Sequence, residues 1–594
     1  MRTRIQSPAR LSVLMERRMI LDGLSDVKTD VKRRLRLTDS RWARLGAFLE
    51  AYLESICVAG VTILAAALRL YGIGDKSIWY DESFVITLAE MPVPDMIRAL
   101  LQLDPHPPLY YLLMHFWLRL GDNPFMARLP SALLSTASVP LLYALGARLI
   151  GRKAAFGAST LLAVSSFHVF WGQEARMYAL LGLLCLASTF FLVKALQEGG
   201  RINWGLHALL SAAAMYTQLV AVFYLAAQGA AVLLLLVWHR TPRGIGVEWA
   251  KSQTWAGLLF LPWLYAFVTW GGPMLEIDYA PTTTPRGLEA LLFQLIYGSL
   301  PYWRNGLGMD GETRDVLVIL SLLTALLGTW FVRRRPAVIL LVFLFLGSIG
   351  LLALVGLRLE IVIPKAVLPA SFAFYLLLWG GLAARRKAVL VLGVTVLLLN
   401  LVGLVRYYTL GSQEDWRAAA QYLGRGFRWG DLALVDSSAG LMPLNYYLRQ
   451  DGLSIEAYGV PFKLWTMLPP PLSDEDYQRV DELSMGRSSI WLVLFRNGFP
   501  DQDGQLLSYL SSRYVLAESR SVTKVRLFRF APGTPGSDEE SSAQAVAEPP
   551  AGTGVSASGQ DGSSLWVDFE VEASERVTSL QGTFRLDDYV AGSR

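Results

Sequence analysis

From about residue 54 to about residue 406, one apolar stretch follows another with only short polar breaks between them. A helix needs about 20 apolar residues to cross a bilayer. By that measure the predicted spans are 54–73, 126–147, 153–171, 177–196, 203–217, 219–238, 253–270, 314–332, 336–357, 364–384 and 388–406. This is about eleven spans, of which 203–217 is notably short. Segment 107–120 is also apolar, but it is shorter still and opens with Pro107-Pro108. After residue 407 the period changes. Segments 414–424, 441–449 and 505–513 read as helices, and 431–436, 489–495 and 523–530 as short strands. Helices alternating with strands predict a small α/β domain with a mainly parallel sheet. Residues 532–562 are rich in Gly, Ser, Pro, Ala and Glu and read as a disordered linker. A hairpin is expected in the tail beyond it.

Composition narrows the class. The chain has 594 residues, 53% hydrophobic and 17% charged, whereas soluble domains carry about 25% charged residues. An ordinary cytosolic enzyme and a disordered chain are both excluded. The net charge of +5 sits in short clusters between apolar runs, which is where orientation signals sit, so it does not point to nucleic acid. Cys57 and Cys185 lie inside apolar runs and predict neither a disulfide framework nor a cysteine metal site. Residues 1–50 are rich in Arg and Lys with no compact apolar core, unlike a signal peptide, and read as a basic cytosolic segment at the membrane surface.

The positive-inside rule sets the expected topology. Arg148, Arg152 and Lys153 form one cluster, and Lys194 and Arg201 a second. Arg240, Arg243 and Lys251 form a third, 333–335 a fourth and 385–387 a fifth. With the basic N-terminus inside, all five lie inside only if 107–120 does not cross. That segment is therefore placed as a juxtamembrane helix on the outer face. The expected domains are 1–50 cytosolic, 51–410 membrane with a first outer loop at 74–125, 411–531 extracytoplasmic α/β, and 532–594 linker and tail. The expected location is the cytoplasmic (inner) membrane of a bacterial cell.

Ionisable residues near a membrane are costly, so their clusters mark candidate chemistry. The first outer loop holds Asp81-Glu82, then His106-Pro107-Pro108-Leu109-Tyr110-Tyr111, and Arg128-Leu129-Pro130 follows. The second outer loop reads Gln173-Glu174-Ala175-Arg176-Met177-Tyr178, and Arg358 and Lys365 flank the outer end of a later span. A carboxylate can take the proton of an acceptor hydroxyl as it attacks a sugar anomeric carbon. Arg and His can hold a departing phosphate. Structural roles compete at each position. Asp81-Glu82 can cap a helix, His106 can cap the segment after it, and Arg128 can snorkel. Glu174 and Arg176, two apart, do not face each other on a helix. The run Glu414-Asp415-Trp416-Arg417 reads as an acidic helix start with no catalytic role.

These motifs, in this order, resemble bacterial GT-C glycosyltransferases, with glycosyltransferase family 39 the closest group. That family is related to protein O-mannosyltransferases and to the lipid A aminoarabinose transferase. The resemblance covers roughly residues 50–410, and Asp415-Trp416-Arg417-Ala418-Ala419 also recurs in such proteins. It implies a GT-C membrane fold with the site at the outer face. It also implies a polyprenyl-phosphate sugar donor and an exported protein, lipid or polysaccharide acceptor. Asp81 would be the base, with Glu82 beside it and Glu174 lining the same cavity. His106, Tyr110, Arg128, Arg176, Tyr178, Arg358 and Lys365 would form the substrate-binding set, and no cofactor or metal is implied. This chain departs from the pattern at Phe84, where some relatives carry a phosphate-binding Arg. It departs again at Pro364-Lys365-Ala366, where Pro-Arg-Tyr is expected.

The leading expectation is a metal-independent, inverting transferase of a mannose-like hexose. Three alternatives stand beside it. One is an oligosaccharyltransferase or ligase using a pyrophosphate-linked glycan and a divalent metal. The others are a transporter of lipid-linked sugars and a catalytically dead scaffold.

Overall fold

The computed structural model describes residues 41–103, 106–238, 243–270, 285–298, 311–332, 336–357, 364–380, 387–409, 414–462, 472–495 and 504–533. The predicted linker and tail beyond residue 533, most of the basic N-terminal segment and Arg358 lie outside these residues. The chain divides into two compact units. One comprises Met1–Asp75 and Val85–Gly411, the other Lys76–Phe84 and Ser412–Arg594.

The first unit is helical. Six described helices are long and apolar enough to cross a membrane: Tyr52–Leu70, Pro124–Leu149, Tyr178–Glu198, Ala221–Trp238, Pro336–Gly356 and Leu390–Thr409. The pair Arg152–Val164 and Ser166–Gly172, bent by 56°, makes a seventh if counted as one broken span. The remaining expected spans are helical as well: Arg201–Thr217, Arg243–Trp270, Gly311–Val332 and Leu368–Gly380. The first and last of these four reach only about 25 Å and about 20 Å, short of a hydrocarbon core of about 30 Å. Segment 107–120 forms the helix Leu109–Trp117 and a 3₁₀ turn, Leu118–Leu120. Nine helical residues extend about 14 Å, too little to cross. This is a multi-pass membrane protein, and its first unit shows exposed aliphatic side chains along the spans, including Leu53, Ile63, Leu233 and Leu398.

The second unit is built on a five-stranded sheet. We label the strands β1 (Leu432–Asp436), β2 (Ala457–Val460), β3 (Ile490–Phe495), β4 (Val515–Val522) and β5 (Val525–Ala531). Their spatial order is β2-β1-β3-β5-β4. β1 runs parallel to β2 and β3, while β5 is antiparallel to β3 and to β4. Only half of the strand pairs are parallel, so the sheet is mixed rather than mainly parallel. The reason lies in β4. Its sequence, Val-Leu-Ala-Glu-Ser-Arg-Ser-Val, is mostly exposed at an edge and lacks the period-two apolar signal of a half-buried strand. β1 and β3 are buried at every position, as strands covered on both faces should be.

We label the helices of this unit α1 (Trp416–Gly426), α2 (Leu441–Gln450), α3 (Asp474–Ser484) and α4 (Gln505–Ser511). α3 is too polar to show an apolar stripe, yet a capping box between Ser473 and Asp476 fixes its start. Its Val480 joins Leu434, Leu492, Leu506, Leu510 and Phe530 in the core.

Candidate functional site

Within the membrane unit, the site residues gather where spans end or break. The break at Ser165 frees carbonyls that hydrocarbon cannot satisfy. Arg69, fully buried, supplies the donors. Its Nη1 donates to Ala163 O at 3.0 Å and its Nη2 to Leu162 O at 3.2 Å. Its Nε donates to Ser135 Oγ at 2.7 Å, and Ser135 Oγ donates onward to His168 O at 3.3 Å. Gly172 lies against this seryl group, where a Cβ would stand 2.8 Å from Ser135 Oγ. The end of the first span is satisfied from the loop that follows the broken one. Gln173 Nε2 donates to the carbonyls of Leu68, Arg69 and Tyr71 at 3.2, 3.1 and 2.8 Å. Tyr407 Oη donates to Gln173 Oε1 at 2.6 Å and fixes the amide.

With the loop held at Gln173, the residues after it form a linked set. Arg176 N donates to Glu174 O at 2.8 Å, a tight turn. Ser131 Oγ bonds Tyr110 Oη at 3.0 Å and donates to Arg176 O at 3.2 Å. The Arg176 guanidinium reaches Tyr178 Oη at 3.4 Å and lies 5.8 Å from that ring's centroid. Lys365 Nζ lies 5.3 Å from the same ring. Two cations thus approach one aromatic ring, which is favourable for each and concentrates positive charge. Arg176, Tyr110, Tyr178 and Glu174 are buried, and Lys365 keeps part of its surface.

The other predicted site residues fare differently. Arg128 is buried, and its Nη1 donates to Ile73 O at 2.9 Å, so this guanidinium braces the start of the first outer loop. His106 is half-buried at the entry to Leu109–Trp117. Arg358 lies outside the described residues.

Asp81 and Glu82 belong to the other unit, in the first turn of the helix Tyr80–Glu90. The two acids differ. Glu82 is fully buried, and its Oε2 accepts from Trp79 N at 3.4 Å, the reach-back of a third-position Glu over its own helix start. Asp81 remains half-buried. Side chains after residue 412 hold the segment around it. Tyr80 N donates to Glu414 Oε2 at 3.2 Å, and Trp416 Nε1 donates to the same oxygen at 2.9 Å. Ile78 N donates to Tyr447 Oη at 2.6 Å, and Arg417 N donates to Ser77 Oγ at 3.1 Å. Phe495 packs on both Tyr80 and Trp416, with centroids 6.4 and 5.0 Å apart.

Arg69, Gln173 and Tyr447 were given no role from the sequence, and Glu414 only that of an acidic helix start. A lone Arg inside an apolar run was the available signal for the first. For Glu414 the signal was two adjacent acids at a helix start that needs one cap. Asp415 is that cap, accepting from Ala418 N at 3.0 Å. Among the described residues, no three His, Cys, Asp or Glu side chains are grouped so as to hold a metal ion.

The family described as dolichyl-phosphate-mannose-protein mannosyltransferase matches residues 105–270. ArnT from Cupriavidus metallidurans in the apo state is similar in structure, with a TM-score of 0.51 and 13% identity over 82% of this chain and 98% of that one. The same protein bound to undecaprenyl phosphate gives 0.48 and 14%, over 81% and 97%. The Pmt1-Pmt2 complex of S. cerevisiae bound to its sugar donor gives 0.31 and 20%, over 36% and 33%. Comparison with curated protein sequences finds no match. The family match over residues 105–270 and the likeness to ArnT agree with the motif order: the chain is similar to glycosyltransferase family 39 proteins and shares the fold of ArnT.

Proposed function

We propose that the protein is a membrane glycosyltransferase. It moves a sugar from a polyprenyl-phosphate donor to a hydroxyl of an exported acceptor at the outer face of the cytoplasmic membrane. The acceptor oxygen attacks the anomeric carbon from the face opposite the phosphate. The bond from that carbon to the phosphate oxygen breaks, and polyprenyl phosphate leaves with the electron pair. The acceptor proton passes to the Asp81 carboxylate. A phosphate is already a good leaving group, so one base suffices and the configuration inverts. Arg176 and Lys365 meet the negative charge that the phosphate gains. The matched family's description makes mannose the first sugar to try, and the ArnT structure with undecaprenyl phosphate makes that lipid the first carrier.

The observation that carries the assignment is the contrast between neighbours. Glu82 is fully buried and engaged with Trp79 N, while Asp81 on the same turn keeps part of its surface open. A base must reach substrate, and Asp81 is the acid of the pair that can. The test is release of free undecaprenyl phosphate from a panel of radiolabelled undecaprenyl-phosphate sugars in detergent, with and without EDTA. Release that survives EDTA and disappears in Asp81→Asn is expected. Turnover by Asp81→Asn at the wild-type rate would sink the mechanism. Loss with EDTA would move the assignment to metal-dependent transfer from pyrophosphate lipids.

A further inference from the structure

We propose that Glu414 is a positioning residue for Asp81, and that the C-terminal domain thereby sets the catalytic base; this rests on the reading of Asp81 given above. Tyr80 N–H is one of the donors that the helix Tyr80–Glu90 leaves without an intrahelical acceptor. Glu414, only 5% exposed, accepts it from 334 residues away at 3.2 Å. It acts as a cap delivered from another part of the chain, one residue before Asp81. The carboxylate is itself held by the Trp416 indole N–H at 2.9 Å. Trp416 is fully buried and is fixed on α1, whose start Asp415 already caps. The order of the run therefore has a reason. Asp415 fastens the helix, Trp416 anchors the acid, and Glu414 reaches out to the loop. Tyr447 on α2 makes a second attachment at Ile78 N, at 2.6 Å. Arg417 stacks on the Tyr447 ring at 5.6 Å, and its own N–H donates to Ser77 Oγ at 3.1 Å.

A carboxylate accepting an N–H bond is a strong, directional clamp. Displacing a base by about 1 Å costs about 100-fold in rate. Removal of the clamp should therefore lower kcat and leave donor affinity in place.

The test uses the full chain in detergent and has two readouts. The first is amide hydrogen exchange, which needs no substrate. Glu414→Ala should speed exchange across 76–84 at least tenfold while β1 and β3 stay protected. Slow exchange there in Glu414→Ala overturns the clamp. The second is steady-state turnover of the undecaprenyl-phosphate sugar that the wild-type protein uses. Glu414→Ala should lose about 30-fold in kcat with donor KM within about threefold. Glu414→Gln keeps an oxygen facing both donors and should recover to within about threefold of wild type. Asp481→Asn, which disturbs the same domain at the Tyr509 hydroxyl, should leave turnover unchanged. Equal losses in Asp481→Asn and Glu414→Ala would mean general damage to the domain and reject positioning. Should Glu414→Ala fail to fold, Tyr447→Phe carries the test. It removes the acceptor of Ile78 N, keeps the ring, and should lose about fivefold in kcat; unchanged kcat and exchange in it then reject the proposal. Asp81→Asn separates the two readings. Full turnover by that variant ends Asp81 as the base, and with it any base to position, whereas the exchange result reports on the clamp alone.

Discussion

Segments Lys76–Phe84 and 172–178 carry most of the candidate chemistry, and the protein holds them with opposite polarity. In the first, the backbone donates and side chains accept. Ile78, Trp79 and Tyr80 give their N–H groups to Tyr447, Glu82 and Glu414. Around the second, side chains donate and the backbone accepts. Gln173 and Arg69 give their N–H groups to carbonyls at the ends of two membrane helices. The difference follows from which helix terminus each segment borders. A helix start leaves bare donors and a helix end leaves bare acceptors. Acids therefore gather in one place, as Asp81, Glu82 and Glu414 do. Amides and cations gather in the other, as Gln173, Arg69 and Arg176 do, with Glu174 the one acid of segment 172–178. A transferase of this kind needs one acidic group for a proton and a cationic set for a phosphate. Capping chemistry supplies both tendencies before any substrate is considered.

The comparison breaks most visibly at Arg69. Replacing it with Met keeps the length of the stem but strips the donors from Leu162 O, Ala163 O and Ser135 Oγ. A buried polar group left unsatisfied costs about 1–3 kcal/mol. With several affected together, the loss should reach about 4 kcal/mol. Thermal unfolding in detergent should show it as a drop of many degrees. A melting temperature unchanged by Arg69→Met would show that the broken span does not depend on this guanidinium.

The cationic side sharpens with charge removal. Arg176→Gln and Lys365→Gln should each raise the donor KM about tenfold, the worth of one charge-assisted contact. The double variant should lose less than the product of the two, because both cations share the Tyr178 ring. Strict additivity would separate them into independent contacts. Tyr178→Phe removes only the hydroxyl that Arg176 reaches at 3.4 Å. Its expected effect is about twofold on the same KM, since a contact that long is weak.

Much of this was legible in the sequence. Each segment expected to span holds helix among its described residues, because hydropathy over about 20 residues is a strong signal. Asp81 stood out because acids are costly near a bilayer. Its separation in role from Glu82 was harder to read. A third-position Glu usually announces itself by a Ser or Thr at the cap, and here the cap position holds Trp79. The membership of Lys76–Phe84 in the C-terminal unit was not legible at all. It depends on bonds such as Tyr80 to Glu414, and no local period records a partner 334 residues away. β5 was expected at 523–530, but its hairpin partner β4 was missed for the opposite reason, since this edge strand is local but carries no apolar face.

Alkaline pH should distinguish the two units by the smallest effect. The membrane unit is pinned by a guanidinium and by an amide to which the Tyr407 phenol donates, with no carboxylate in that pairing. The C-terminal unit uses phenol–carboxylate pairs: Tyr422 donates to Glu518, and Tyr509 Oη donates to Asp481 Oδ2 at 2.8 Å. Burial, then the bond to Asp481, pushes the Tyr509 phenol up to about 12. Burial and Glu518 also raise Tyr422. An unfolded tyrosine titrates near about 10. A group whose folded pKa is raised lends stability that is whole below the unfolded value and is lost as pH climbs through the folded one. The C-terminal unit should therefore begin to loosen above about pH 10 and lose the Tyr509 contribution by about pH 12. Both side chains are partly solvated, so screening keeps the effect small. Peptide-resolved hydrogen exchange between pH 9 and 12, corrected for the intrinsic rate, should show β4 and α4 opening while 124–149 stays protected. Tyr509→Phe should flatten part of that dependence. Equal loosening of both units would mean that the phenol–carboxylate pairs do not set the difference between them.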